Sequence, residues 1–192
     1  MKKILIIDGH PDAGSFCKAL AASYKKGSLL AGHETELICL HELNFNPNLA
    51  GGYSRRTELE SELVEAQQKI KWANHIVIIH PVWWGSVPAL LKGFFDRVLL
   101  PGFAFKYRES GSLWDKLLSG KTGHVIYTSD TPIWFYRVVF MAPSVNQVKK
   151  RVLQFCGITP VKVTGIGPIR KSTAGFREKW LLKIEQIAKN NH

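Results

Sequence analysis

Two runs, Ile4-Leu5-Ile6-Ile7 and Ile76-Val77-Ile78-Ile79, constrain the fold more than any other feature of the chain. Each is apolar at every position instead of at alternate ones, so each must be covered on both faces, as inner strands of a parallel sheet are. Parallel neighbours need a crossover connection, and the chain supplies helical patterns between its strand-like runs. Ser15 opens an amphipathic segment with Phe16, Leu20 and Tyr24 on one side, predicted to end near Gly27. A second strand is predicted over Glu36–Leu40, then a long loop and a charged helix from about Thr57 to Trp72, with Glu60 in capping-box position. A helix over 88–99 carries Leu90, Leu91, Phe94, Phe95 and Val98 on one side. Beyond it the pattern predicts a strand over Gly123–Thr128, a helix over Asn146–Phe155 stopped by Gly157, a strand over Val161–Ile166 and a closing helix over Phe176–Lys189. Such alternation gives the α/β class, a five-stranded parallel sheet with helices on both faces, and right-handed crossovers leave few topologies. The predicted strand order is 2-1-3-4-5.

With 192 residues and no repeat or Pro/Ser-rich linker, the chain reads as one domain over 1–192. The net charge of +11 is unevenly spread. Residues 1–96 carry ten Lys/Arg against ten Asp/Glu, whereas 97–192 carry sixteen against five. The asymmetry argues against a uniformly basic nucleic-acid coat, and no RNA or DNA module is recognisable around Lys149-Lys150-Arg151 or Arg170-Lys171. The asymmetry fits a phosphate-bearing ligand, an acidic partner or a solvated basic face. No apolar run approaches the ~18–20 residues of a membrane span. Only four apolar residues follow Met1-Lys2-Lys3 before Asp8, too few for a secretory h-region, so a cytoplasmic location is expected. Cys17, Cys39 and Cys156 are widely spaced and read as small core residues, with no metal signalled.

In an open sheet of this order the ligand site lies beyond the carboxyl ends of the strands, where the order reverses. Three loops must meet there: Gly9-His10-Pro11-Asp12-Ala13-Gly14-Ser15, Pro81-Val82-Trp83-Trp84-Gly85-Ser86 and Ser129-Asp130-Thr131-Pro132. The first has G-x-x-x-x-G spacing between a buried strand and a helix, where free N–H groups and the helix dipole favour an anion. Triphosphate chemistry is disfavoured, since Ser15-Phe16 stands where a P-loop carries Lys-Ser/Thr. Ser119-Gly120-Lys121-Thr122 is a decoy, lacking the first glycine and the following helix. What remains is either a small phosphate or pyrophosphate site using backbone amides, Ser15 and His10, or an ordinary capped turn. Trp83-Trp84 is either core or a flat wall for a planar heteroaromatic ring, and its place at the switch point favours the wall. Phosphoacceptor signalling is excluded, because one Asp8 replaces the acidic cluster and His80-Pro81 the acceptor aspartate. The connection 129–144, rich in aromatic residues, is predicted to cover or line the site.

Taken together, Gly9-His10-Pro11 through Ser15-Phe16, Asn44-Phe45-Asn46-Pro47, the stretch Pro81-x-x-Trp84-x-x-Val87-Pro88-Ala89-x-Leu91-Lys92-Gly93-Phe94-Phe95-Asp96-Arg97-Val98, and Phe155-Cys156-Gly157 resemble the flavodoxin-like NAD(P)H:quinone oxidoreductases, the DT-diaphorase group and its bacterial relatives. The resemblance covers nearly the whole chain. It implies a flavodoxin-like three-layer sandwich, non-covalent FAD or FMN, ping-pong two-electron transfer from NAD(P)H to a quinone or similar small-molecule acceptor, and a homodimer without membrane insertion. Some relatives are instead ancillary subunits of potassium-efflux systems, which implies a peripheral transporter partner as the alternative. Carried over by position, His10, Ser15, Phe16 and Cys17 would meet the flavin phosphate side, and Gln67 matches a cofactor-contacting glutamine. Pro81, Val82, Trp83 and Trp84 would flank the isoalloxazine, and Thr128, Ser129 and Asp130 would bond its pyrimidine edge or ribityl chain. Tyr136 would be the catalytic hydrogen-bond donor to the reduced ring, or else the anchor of an aromatic lid. Three positions depart from the family pattern: Gly85 replaces a phenylalanine, Asp130 a glycine, and Ala142 the histidine proposed to relay protons. The carboxylate of Asp130 would oppose an anionic ring unless it turned away.

Overall fold

A computed structural model describes residues 1–54, 57–109 and 112–190. Five parallel strands form one sheet: β1 (Lys3–Asp8), β2 (Glu34–Cys39), β3 (His75–Pro81), β6 (Thr122–Thr128) and β7 (Val161–Ile166), in the order β2-β1-β3-β6-β7. This is the 2-1-3-4-5 order expected from the sequence. The register sets Ile4–Asp8 of β1 beside His75–Ile79 of β3 and ends with Asp8 against Cys39 and Pro81 against Thr128.

The unbroken apolar runs are covered from both sides. Leu5, Ile7, Ile76 and Ile78 pack with α2 (Ser61–Trp72), α3 (Ala89–Val98) and the helical segment from α5 (Pro143–Asn146) through a π-helical stretch (Gln147–Leu153) to α6 (Gln154–Cys156). Ile4, Ile6, Val77 and Ile79 face α1 (Phe16–Leu30) and α7 (Ala174–Lys189). Each such side chain contributes about 1.5–3 kcal/mol when fully buried, which fixes the register of the inner strands. Among the elements that escaped the sequence reading are a 3-10 turn over Leu40–Glu42, a hairpin of β4 (Phe105–Tyr107) and β5 (Trp114–Lys116), and α4 (Ile133–Val138), inside the connection read as a loop. No helix among the described residues is long and apolar enough to cross a membrane.

Two boundaries differ from expectation for identifiable reasons. α1 runs past Gly27 to Leu30 because Gly27 is a crossing point: a Cβ there would lie 2.2 Å from the Glu185 carbonyl oxygen of α7. α2 begins at Ser61, not Thr57, because Glu60 is engaged elsewhere. Its carboxylate takes both ends of the buried Arg97 guanidinium, at 2.7 and 3.2 Å, and accepts the Asn46 N–H at 3.1 Å. Arg97 also donates to the carbonyls of Asn46 and Glu58. The Asn46-Pro47 and Asp96-Arg97 motifs are thus two halves of one clamp holding the long 43–60 connection to α3.

Candidate active site

The carboxyl ends of β1, β3 and β6 open into a crevice of about 210 Å³ lined by His10, Asp12, Ser15, Phe16, Cys17, Pro81, Val82, Trp83, Thr128, Ser129, Asp130 and Ile169. Ten of the thirteen side chains singled out from the sequence therefore line one space. Asp12 and Ile169 were missed. Ile169 comes from the loop after β7, which sits close because residue 167 is glycine: a Cβ there would lie 2.4 Å from the Ser129 carbonyl oxygen. The Ile169 N–H then bonds that carbonyl at 3.1 Å.

The first loop is held by its own polar groups. Asp8, wholly buried at the end of β1, accepts the His10 N–H at 3.1 Å, and burial pushes its carboxyl up from the ordinary range. His10 Nδ1 accepts the Asp12 N–H at 3.0 Å, which puts the ring proton on Nε2. Burial lowers the His10 pKa, so the neutral ring with one donor is the resting form. Asp12 accepts from the Gly14 N–H at 2.9 Å and the Ser15 N–H at 3.2 Å. Ser15 caps α1, its Oγ accepting the Lys18 N–H at 3.2 Å. Among the described residues, no acceptor claims the N–H groups of Phe16 and Cys17, the first-turn donors of α1. The Cys17 thiol, 3.5 Å from Thr128 Oγ1, is pushed up to about 12 by burial and is a spacer, not a nucleophile.

The opposite wall is Pro81, Val82 and Trp83, whose indole meets the His10 ring edge-on at 5.4 Å. Reciprocal bonds between Trp83 and Ser86, at 2.8 and 3.0 Å, close a tight turn whose two central residues, Trp84 and Gly85, have φ of +49° and +73°. Such a turn ordinarily takes Asn-Gly. A tryptophan there is strained, and Trp84 is fully exposed beside the crevice mouth. It does not flank the crevice as the sequence reading placed it; the turn projects its indole into solvent.

On the third side, Ser129 Oγ accepts the Thr131 N–H at 3.0 Å, leaving its own proton to donate. Asp130 is turned away. Its carboxylate takes the Arg170 N–H at 2.8 Å and the Arg170 side chain at 3.2 Å.

Two assigned residues lie elsewhere. Gln67 sits on α2 and donates from Nε2 to the Val98 carbonyl at 2.8 Å, tying α2 to the end of α3. Tyr136 is 2% exposed, with its hydroxyl 2.7 Å from Ser144 Oγ, accepting the Ser144 N–H at 3.0 Å. Its phenol is engaged with Ser144 at the start of α5 and does not line the crevice.

The family model described as flavodoxin-like fold matches residues 2–187. An uncharacterized NAD(P)H oxidoreductase of Haemophilus influenzae is 30% identical over 170 residues, covering 86% of this chain and 83% of its own. The ribosyldihydronicotinamide dehydrogenase [quinone] of Mus musculus is 31% identical over 183 residues, covering 81% and 77%. The crystal structure of Smu.1420 from Streptococcus mutans UA159 superposes with a TM-score of 0.82 at 31% identity, over 97% of this chain and 98% of that one. With an order-reversing crevice in place and these relatives matching it nearly end to end, the chain belongs to the flavodoxin-like family of NAD(P)H:quinone oxidoreductases.

Proposed function

We propose that the protein is an enzyme that binds FMN or FAD in this crevice and passes a hydride from NAD(P)H to a quinone or similar small-molecule acceptor. The observation that carries this reading is the pairing of unclaimed first-turn amides of α1 with a facing wall of Pro81, Val82 and Trp83. The amides of Phe16 and Cys17, with Nε2–H of His10, suit a phosphate at the positive end of α1. The crevice is below the ~300–1,000 Å³ usual for a ligand pocket. It therefore accommodates one end of an extended ligand, and a ring continuing outward would lie against Trp83 and reach Trp84.

The first-turn amides of α1 with His10 would hold a flavin by its phosphate and Trp83 would wall its ring, and the bound group would supply the two-electron exchange of a ping-pong transfer between NAD(P)H and the acceptor. The chain does the positioning. Pro81, Val82 and Trp83 exclude water from one side, while the hydroxyls of Thr128 and Ser129 and nearby amides offer donors where negative charge builds. Arg170 holds the Asp130 carboxylate off that edge. Trp84 is the residue whose strain and exposure a ligand would repay.

A homodimer belongs to the same proposal. α4 and the residues after it present Trp134, Val138, Phe140 and Met141 to solvent beside the site, and Phe135 joins Trp134 and Phe140 at ring distances of 5.5 and 5.3 Å. A ridge of this kind suits a second copy of the chain. Light scattering on a sizing column tests it: a particle near twice 21.6 kDa is expected, and a monomer at micromolar concentration overturns it.

The activity is tested by reconstituting the protein with FMN and with FAD, then adding NADPH and menadione. A yellow complex with one of the two and NADPH oxidation that depends on menadione is expected. Colourless protein that leaves NADPH untouched overturns the proposal.

A further inference from the structure

On the β2 side of the same sheet end, outside the crevice, Cys39, His41 and Glu42 bring one potential ligand atom each to within 4.8 Å of one another. We propose that these three side chains form a binding site for a divalent metal ion, zinc(II) foremost, which Lys18 guards with its ammonium group.

The ligand set is a thiol, an imidazole and a carboxylate, a mixture suited to a borderline-soft ion in tetrahedral coordination with a fourth position open. Two of the three ligands already hold a cation: Lys18 Nζ lies 2.5 Å from Glu42 Oε1 and 3.3 Å from His41 Nε2. The His41 side chain is only 9% exposed, and its Nδ1 is buried without a hydrogen-bond partner among the described residues. Asp8 pairs in register with Cys39; its carboxylate is wholly buried, and Oδ2 has no hydrogen-bond partner among the described residues. An unsatisfied ligand-type oxygen therefore stands on the neighbouring strand, next in sequence to the loop of the crevice.

Ligand distances of about 2.0–2.3 Å to zinc require the three donors to draw in slightly from their present spacing. Glu42, with a side chain 58% exposed, is free to make that adjustment. Entry of the ion removes the proton from the Cys39 thiol, forms a sulfur–zinc bond and sends the Lys18 ammonium, 33% exposed, out to solvent. One proton is released, and no oxidant or reductant takes part.

The test is a titration of chelator-stripped, full-length protein with cobalt(II), then with zinc(II). Expected is one equivalent of cobalt with a thiolate charge-transfer band in the near ultraviolet, displaced by zinc. Cys39→Ser should abolish the band, and His41→Ala should weaken binding by about 10–100-fold. Lys18→Met, which removes the competing charge at an accessible position, should tighten binding about tenfold or more, a gain that adventitious thiol ligation would not show. A band that survives Cys39→Ser, an affinity unmoved by Lys18→Met, or no saturable binding below millimolar cobalt overturns the proposal. Should Cys39→Ser fail to fold, the Lys18→Met comparison decides alone.

Discussion

At the scale of single residues, Trp84 stands exposed at a positive φ while Tyr136 is buried, so substitutions at the two should have opposite effects. Trp84 contributes no burial and holds a positive φ, so Trp84→Gly should stabilise the flavin-free protein by roughly 1 kcal/mol of relieved strain, read as a higher melting temperature. The same change should weaken flavin binding at least tenfold, read by fluorescence titration. Stability and binding lost together would show that Trp84 is structural. Tyr136→Phe behaves oppositely. It leaves the buried Ser144 N–H without its acceptor, so about 1–3 kcal/mol of stability should disappear in urea unfolding while flavin affinity holds. Tyr136 was legible as important because it lies in an aromatic connection. Its role was not, because whether that connection forms a helix with its phenol turned inward depends on Ser144 and Gly85, which only the folded chain brings together.

At the scale of elements, periodicity found all five sheet strands and every long helix, because a continuous apolar run and a one-sided stripe each have one good solution in a three-layer sandwich. It failed where a side chain has two competing uses. Glu60 looks like a capping residue but serves Arg97, and Gly27 looks like a stop but serves helix crossing. The three-residue strands β4 and β5 are too short to show a period. Arg97→Met should uncouple the 43–60 connection from α3 and leave Glu60 with its partner gone. A loss of about 3–5 kcal/mol in chemical denaturation is expected, with early protease cleavage within that connection. An unchanged unfolding midpoint would show that the clamp is dispensable. Gly27→Ala should destabilise as well, through the collision with the α7 backbone.

At the scale of the whole molecule, burial and charge set the response to pH and salt. His75, His80 and His124 are buried neutral, pushed down to about 3, 4 and 4, with the Lys162 charge adding to burial at His75 and His124. An unfolded histidine titrates near 6.5. Stability should therefore be flat above pH 6.5 and fall as pH drops toward 4, since the unfolded chain takes up protons that the folded one refuses. The slope should approach three protons, about 4 kcal/mol per pH unit, and His124→Asn should remove about a third of it. The excess basic charge of residues 97–192 lies in the half that supplies Arg170 at the rim, and we expect part of it to steer anionic dinucleotides. kcat/KM for NADPH should fall steeply between low and physiological ionic strength. A salt-independent value would make this a solvated surface. The crevice was legible as three converging loops, since topology alone dictates where they meet, but its fourth side, Ile169, was not, because a close backbone approach at Gly167 leaves no periodic trace.

The central claim, that the crevice at the carboxyl ends of β1, β3 and β6 holds a flavin poised for NAD(P)H, is tested most directly by the visible spectrum of the purified protein before and after anaerobic NADPH. The account predicts the visible absorption of an oxidised flavin, which bleaches on NADPH addition and returns with menadione, and a released chromophore whose mass identifies FMN or FAD. A protein that neither carries nor takes up either flavin, or whose bound flavin NADPH leaves oxidised, would contradict it.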